Sequence, residues 1–253
     1  MTPVHFIDFE NYSASVPAAM DAVGAPDMFK GGRPILLKPN LVNASEFPVT
    51  THVLFCRAVI EYIRQKTDTR IIIAEGCGDS DLDTDEVFRI LGYRDLADEV
   101  QVDLIDLNYA PVTEIECPAN EIFPVMHLPE IAFESMIISL PVLKAHSLAE
   151  MTGTLKNMMG FAPPQYYSGG GFWKKAVFHQ RMQQSIIELN RCLVPDLTLM
   201  DASLGLKDFH LGGATCNPPV NKLIAGTDPW AVDQAAARLL GQDPENIRHI
   251  HKQ

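Results

Sequence analysis

Pro34-Ile35-Leu36-Leu37-Lys38 is a short apolar run that stops on a charge, and four more stretches of the chain share that form. They are Ile71-Ile72-Ile73-Ala74-Glu75, Met136 to Leu143 followed by Lys144 and His146, Leu197-Thr198-Leu199-Met200-Asp201, and Leu223-Ile224-Ala225-Gly226-Thr227-Asp228. Runs of this length, rich in strand-forming residues and lacking polar alternation, read as strands buried on both faces of a largely parallel sheet. In open α/β sheets ligands bind outside the carboxyl ends of the strands. A charge repeated at that position therefore points to one polar site assembled from distant segments.

Helical patterns alternate with these runs. Val53, Cys56, Ile60 and Ile63 recur at spacings of three and four, with Arg57, Glu61 and Arg64 on other faces, the pattern of an amphipathic helix. Thr50-Thr51-His52 precedes it and offers a threonine N-cap. Asp83-Thr84-Asp85-Glu86 supplies capping and acidic residues to a second helix that stops at Gly92. Val102 to Leu107 reads as a further strand. Val112 to Cys117 and Phe123 to Leu128 then follow too closely for crossover helices, which predicts an antiparallel excursion around 110–130. Residues 151–171 show no period and read as a long functional or mobile loop. From Phe172 to Leu193 the spacing reads as helical over about six turns. A strand at 197–200, a strand at 223–226 and a helix at 230–240 complete the chain. The expectation is a single α/β domain over 1–253, a mostly parallel central sheet flanked by helices, with 108–133 as a candidate subdomain.

Composition narrows the function. A net charge of -12 argues against a general affinity for nucleic acid or for an anionic membrane surface, both of which need a basic footprint. No run of about 18 consecutive apolar residues and no basic, apolar leader is present, so neither a membrane span nor classical export is expected. The 5 cysteines form no C-x-x-C pair and are odd in number, which speaks against a disulfide framework and a cysteine-ligated iron-sulfur cluster, and for a reducing cytoplasm.

Candidate chemistry gathers at the strand ends. Lys38-Pro39-Asn40 holds a lysine in extended chain, because proline disfavours helix for the residue before it; a surface lysine beside a turn is the plainer alternative. Thr51 and His52 lie at a helix start, as caps or as an anion or metal site. Glu75-Gly76-Cys77-Gly78-Asp79 lacks the third glycine of a dinucleotide fingerprint, so no NAD site is read there. Lys144, His146, Thr152, Thr154, Lys156 and Asn157 concentrate cations, hydroxyls and an amide on one strand end and the loop beyond it. Such groups hold a carboxylate or phosphate, and a desolvated lysine among cations becomes a base or nucleophile. Ser168-Gly169-Gly170-Gly171, with Lys174, Lys175 and His179 following, is a second anion candidate or else a glycine hinge beside a basic face. Asp201, Asp228 and Asp233 contribute carboxylates, Asp228 being equally suited to capping a helix. His146, His179, Glu75 and Asp201 would make a mixed nitrogen and oxygen divalent-metal site, although no metal-ligand spacing supports one.

As an ordered set, Lys38-Pro39-Asn40-Leu41, Thr50-Thr51-His52, Leu143-Lys144-Ala145-His146, Thr152 to Gly160, Phe178-His179, Pro195 to Asp201 and Gly226 to Asp233 resemble the domain-of-unknown-function family numbered 362, from about residue 33 onward. The family's glycine-rich stretch after the aspartate corresponding to Asp201 appears here as Gly205 to Gly213. Many members carry a ferredoxin-like module with two four-iron clusters. This chain has no such cysteine motif, so the resemblance implies a separate ferredoxin-like partner for any electron transfer. The lysine-asparagine loop and histidine helix are also similar, at fold level, to the amino-terminal domain of lactate racemases, a likeness that assigns no chemistry. Two readings follow. One is an enzyme that binds a small anionic molecule, with Lys144 or Lys156 as base or electrostatic stabiliser and His146 or His179 as proton-transfer partner. The other is a non-catalytic accessory protein carrying a metal, a cofactor or an iron-sulfur partner.

Overall fold

The computed structural model describes residues 2–253. Its strands are β1 (His5–Asp8), β2 (Ile35–Pro39), β3 (Ile71–Glu75), β4 (Asp103–Asp106), β5 (Val112–Glu116), β6 (Val125–Pro129), β7 (Met136–Leu140), β8 (Val142–His146), β9 (Glu150–Thr152), β10 (Leu197–Leu206) and β11 (Lys222–Gly226). The helices are α1 (Tyr12–Ala22), α2 (Ala25–Met28), α3 (Val53–Arg64), α4 (Thr84–Ile90), α5 (Tyr93–Val100), α6 (Ile131–Glu134), α7 (Thr154–Asn157), α8 (Pro164–Tyr167), α9 (Ala176–Gln180), α10 (Met182–Cys192) and α11 (Pro229–Leu239).

The main sheet runs β1-β11-β10-β7-β2-β3-β4. From β10 to β4 every pairing is parallel, whereas β11 pairs antiparallel with both β10 and β1. Strand β8 also lies parallel to β10 and carries β9 antiparallel on its far side. The excursion around 110–130 is a separate two-stranded antiparallel sheet, β5 with β6. This is the α/β architecture with a mostly parallel sheet that the apolar runs announce.

The central strands are buried on both faces because each side chain alternates between two cores. Ile35, Leu37, Ile71 and Ile73 pack with Phe55, Val59, Phe88 and Tyr93 on one face. Leu36, Ile72, Ile137 and Met200 pack with Ile186, Leu189, Val232 and Ala236 on the other. Burying each large aliphatic contributes roughly 1.5–3 kcal/mol.

Several local expectations are corrected. The run from Met136 to Leu143 is two strands, because Pro141 interrupts the ladder between β7 and β8. The strand reaching Asp201 continues to Leu206, so Asp201 lies within β10 rather than at its end. Residues 151–171 are not a featureless loop: they contain β9, α7, a 3₁₀ turn at Met158–Phe161 and α8, and are largely buried. The helix expected from Phe172 is two helices separated at Arg181. The N-cap of α3 is His52, whose Nδ1 accepts the Leu54 N–H, while Thr51 serves the core. Cys117 and Cys192, 75 residues apart, form a disulfide, which counting and spacing alone did not reveal. Helix α1 carries too weak a periodic signal to be read from sequence, whereas α5 is short but clearly amphipathic and sequence reading overlooked it.

Candidate functional site

A cavity of ≈ 350 Å³ opens at the carboxyl ends of β2, β3 and β8 and is closed over by the segment around α7. Its wall includes Asn40, Glu75, Lys144, His146, Thr152, Lys156, Asn157, Lys175, His179 and His210. Distant strand ends and loops thus deliver ammonium, imidazole and amide groups to one hollow.

At its floor Lys38 and Glu75, 0% and 3% exposed, form an ion pair of 2.7 Å. The Lys38 ammonium also donates to Pro39 O at 2.8 Å and Asn157 Oδ1 at 3.3 Å. Glu75 accepts the Leu41 and Gly76 N–H groups, both at 2.8 Å. Gly160 crosses directly over this pair; a Cβ there would collide with Glu75 Oε1 and Lys38 Cε, which is why the chain needs glycine at that point. Burial pulls the Lys38 ammonium below its ordinary value, and Glu75 opposes the shift.

Lys144, 1% exposed, donates to Asn40 Oδ1 and Val49 O, each at 2.6 Å. Asn40 is held in turn by Thr51 Oγ1, which accepts the Asn40 N–H at 2.8 Å and donates to Leu140 O at 2.7 Å. Lys175 donates to Asn108 Oδ1 and Gly160 O, both at 3.1 Å. Asn157 donates to Lys38 O and Ser139 Oγ, both at 3.0 Å. Burial pushes Lys144 down to about 7, helped by the charge of Lys156, and pushes Lys175 down to about 7. Burial alone brings Lys156 down to about 8.

Two histidines have their proton placement set by the backbone. His146 Nδ1 accepts the Leu148 and Ala149 N–H groups at 3.0 and 3.2 Å, leaving Nε2 as the protonated nitrogen. His179 Nδ1 faces Lys175 O at 3.1 Å, so its proton sits on Nδ1 and Nε2 is the acceptor. Burial holds both rings below the ordinary histidine value, with the Lys156 charge adding to the effect. His210 stacks on His146 with ring centroids 3.8 Å apart and is pushed down to about 3 by burial. Among the described residues, no three His, Cys, Asp or Glu side chains come together as a metal-ligand set.

Other candidate residues lie elsewhere and have different work. His52 caps α3 and packs on Tyr12 and Phe47. Thr154 begins α7, its hydroxyl 3.0 Å from Thr198 and its N–H on Asp233 Oδ1 at 2.7 Å. Gly170 is exposed in a turn with φ 73°, and α9 starts only at Ala176, so the expected anion cradle at a helix start does not form. Lys174 is tied to Leu82 O at 2.5 Å and Asp83 Oδ1 at 3.1 Å. Asp201 is buried against Tyr12, whose hydroxyl donates to it at 2.6 Å. Asp228 accepts the Trp230 and Ala231 N–H groups as the N-cap of α11.

Sequence reading overlooked Asn108 and His210 and treated Lys175 only as part of a basic helix face; Thr152, which it grouped with Lys144, His146 and Lys156, does line the cavity. His210 arrives from the irregular segment between β10 and β11, where no period or motif signals a site. Asp233, pushed up to about 7 by burial, accepts the Thr154 and Leu155 N–H groups and so anchors the turn that carries Lys156.

Among curated proteins, the thylakoid-associated protein sll1697 of Synechocystis sp. (strain ATCC 27184 / PCC 6803 / Kazusa) is 28% identical over 121 residues, 44% of this chain and 34% of that protein. Among solved structures, the lactate racemase apoprotein from Thermoanaerobacterium thermosaccharolyticum superposes with a TM-score of 0.57 at 15% identity, covering 92% of this chain and 56% of that one. The chain thus spans about a third of the curated relative and little more than half of the racemase, and at this identity the second likeness concerns the fold. No helix among the described residues is long and apolar enough to cross a membrane. The family model for the domain of unknown function DUF362 matches residues 35–238, and the chain belongs to that family.

Proposed function

We propose that the cavity binds a small anionic molecule and that the protein is an enzyme acting on it by proton transfer. The reading rests on one observation: ammonium and imidazole groups converge on a hollow whose buried carboxylate, Glu75, is already spent on Lys38 and two backbone N–H groups. In a chain of net charge -12 this is a local gathering of cations, with Asp79 and Asp81 also on the cavity lining, and a low-dielectric pocket strengthens the attraction of an anion to it. Lysines held near neutrality can donate and accept protons at physiological pH. In this reading Lys144 and Lys156 stabilise negative charge or exchange a proton, while His146 offers Nε2–H as a donor and His179 offers Nε2 as an acceptor.

The test is thermal unfolding with oxalate and with inorganic phosphate. At a concentration a hundredfold above the dissociation constant, stabilisation of about 2.7 kcal/mol is expected, a rise of roughly 5–10 °C for a chain of this size. Lys156→Met should remove the response without loss of fold. Equal response in the variant, or no saturable response in the parent protein, refutes the reading.

A further inference from the structure

Three lysines line this cavity, a fourth, Lys38, lies buried beneath it against Glu75, and three of the four are tied down. Lys38 is held by Glu75, Pro39 O and Asn157; Lys144 by Asn40 and Val49 O; Lys175 by Asn108 and Gly160 O. Lys156 is different. Among the described residues no group hydrogen-bonds its Nζ, although the side chain lines the cavity. It is also the hub of the cluster, close enough for its charge to weigh on Lys144, His146, His179 and His210. A lysine used only to attract an anion gains by being braced, as the other three are. An amine left unbraced in a water-poor hollow is suited to bond formation, because burial favours its neutral, nucleophilic form.

Unused donors lie beside it. Thr152 Oγ1 is buried, 2% exposed, lines the cavity and has no hydrogen-bond partner, and a buried hydroxyl left in that state costs free energy that a ligand would recover. His146 Nε2–H is likewise unspent, and an ammonium has three N–H groups of which Lys144 commits two within the protein. A nucleophilic amine flanked by donors for a carboxylate matches a substrate that has its carbonyl next to its carboxylate.

We infer that Lys156 forms an imine with a small 2-oxo acid, which narrows the anionic ligand of the reading above and rests on it. The Nζ lone pair attacks the carbonyl carbon and forms the C–N bond, while the C=O π pair moves to oxygen, which takes a proton from the Lys144 ammonium. The nitrogen then gives a proton back to Lys144, and the hydroxyl, protonated by that Lys144 ammonium, departs as water as the nitrogen lone pair forms C=N, leaving a protonated imine and a neutral Lys144. The step is redox neutral: amine plus carbonyl gives imine plus water. Thr152 and His146 hold the carboxylate throughout.

The test traps the imine on the intact chain. The protein is incubated with pyruvate and sodium cyanoborohydride, whose hydride reduces C=N to a stable secondary amine, and the adduct is mapped by peptide mass spectrometry. A reduced adduct confined to Lys156, suppressed by oxalate and absent in a folded Lys156→Arg protein, supports the inference. Absence of adduct, or equal labelling of exposed lysines such as Lys30 and Lys66, overturns it. Oxalate stabilisation of the parent protein, measured alongside, separates the two failures: where it persists without adduct, the anion site stands and the imine falls. Where both are absent, both fall. Thr152→Val should lower the trapping yield several-fold at limiting pyruvate, and an unchanged yield removes Thr152 from the carboxylate site.

Discussion

Two groups of charged residues occupy comparable places in the chain and do opposite things. Lys38, Glu75, Lys144 and Lys156 lie on or just beyond strand ends; the last three face one cavity and Lys38 is buried beneath it against Glu75. Asp228 also closes an apolar strand run and Asp201 ends one in the sequence although β10 continues past it, yet Asp201 is sealed against Tyr12 and Asp228 caps α11. The contrast teaches that a charge at a strand end marks a position and not a function. What separates the groups is whether the polar atoms are consumed by the protein. Asp228 spends its carboxylate on two backbone N–H groups, whereas the lysine cluster holds more positive charge than its one buried carboxylate can neutralise.

The sharpest way to break this comparison is at the floor of the cavity. Glu75→Gln leaves the Lys38 ammonium without a counter-charge, and breaking a buried pair in this way costs about 3–5 kcal/mol. Chemical denaturation should register that loss. A change below about 1 kcal/mol would mean that the pair is not a structural keystone.

Lys156→Met should act in the other direction. Removing a desolvated ammonium stabilises the ligand-free protein at pH 7 by on the order of 1–2 kcal/mol, after allowance for its partial exposure, while abolishing the anion response. Sites commonly carry such a stability cost. A destabilised variant would show instead that Lys156 is braced after all.

The pH profile tests the same idea. Lys144, Lys156 and Lys175 are held at about 7, about 8 and about 7 in the fold, below their ordinary unfolded value near 10.4. Between those limits the unfolded chain binds more protons than the folded one, so stability rises as pH climbs from about 7 towards 10. Asp233, pushed up to about 7, acts below that window: the fold binds the extra proton, so its contribution declines as pH rises from about 4 to 7. Denaturation midpoints measured at intervals of pH should therefore climb above neutrality, and Lys156→Met should flatten that climb. Anion binding reverses the lysine shifts and so takes up protons near pH 8, readable by calorimetry in two buffers of different ionisation enthalpy.

The smallest effect belongs to the second group. Asp228→Ala should cost about 1 kcal/mol, the usual value of an N-cap, with no change in the anion response. A lost response would tie α11 to the site.

How much was legible in advance follows from the range of each signal. The parallel strands were readable because burial on both faces leaves an unbroken apolar run, and the antiparallel pair β5 and β6 because short strands separated by prolines leave no room for a crossover. Lys144, His146, Lys156 and Asn157 were readable as a group because a strand end and the next turn are neighbours in sequence. His210 was not, since its meeting with His146 joins the end of β8 to an irregular segment 64 residues later. The turn of residues 154–157 was also hidden, because its stability comes from Asp233, 79 residues away, and not from helix propensity.

The order of amino acids by itself determined the layered sheet, its acidic exterior and the supply of cations at the strand ends, because patterning and local stereochemistry act over a few residues. Only the tertiary structure decided which of those cations are braced and which is left unbonded, and which carboxylates are spent on helix ends. Hydrogen bonds between side chains depend on distances that the chain path alone establishes.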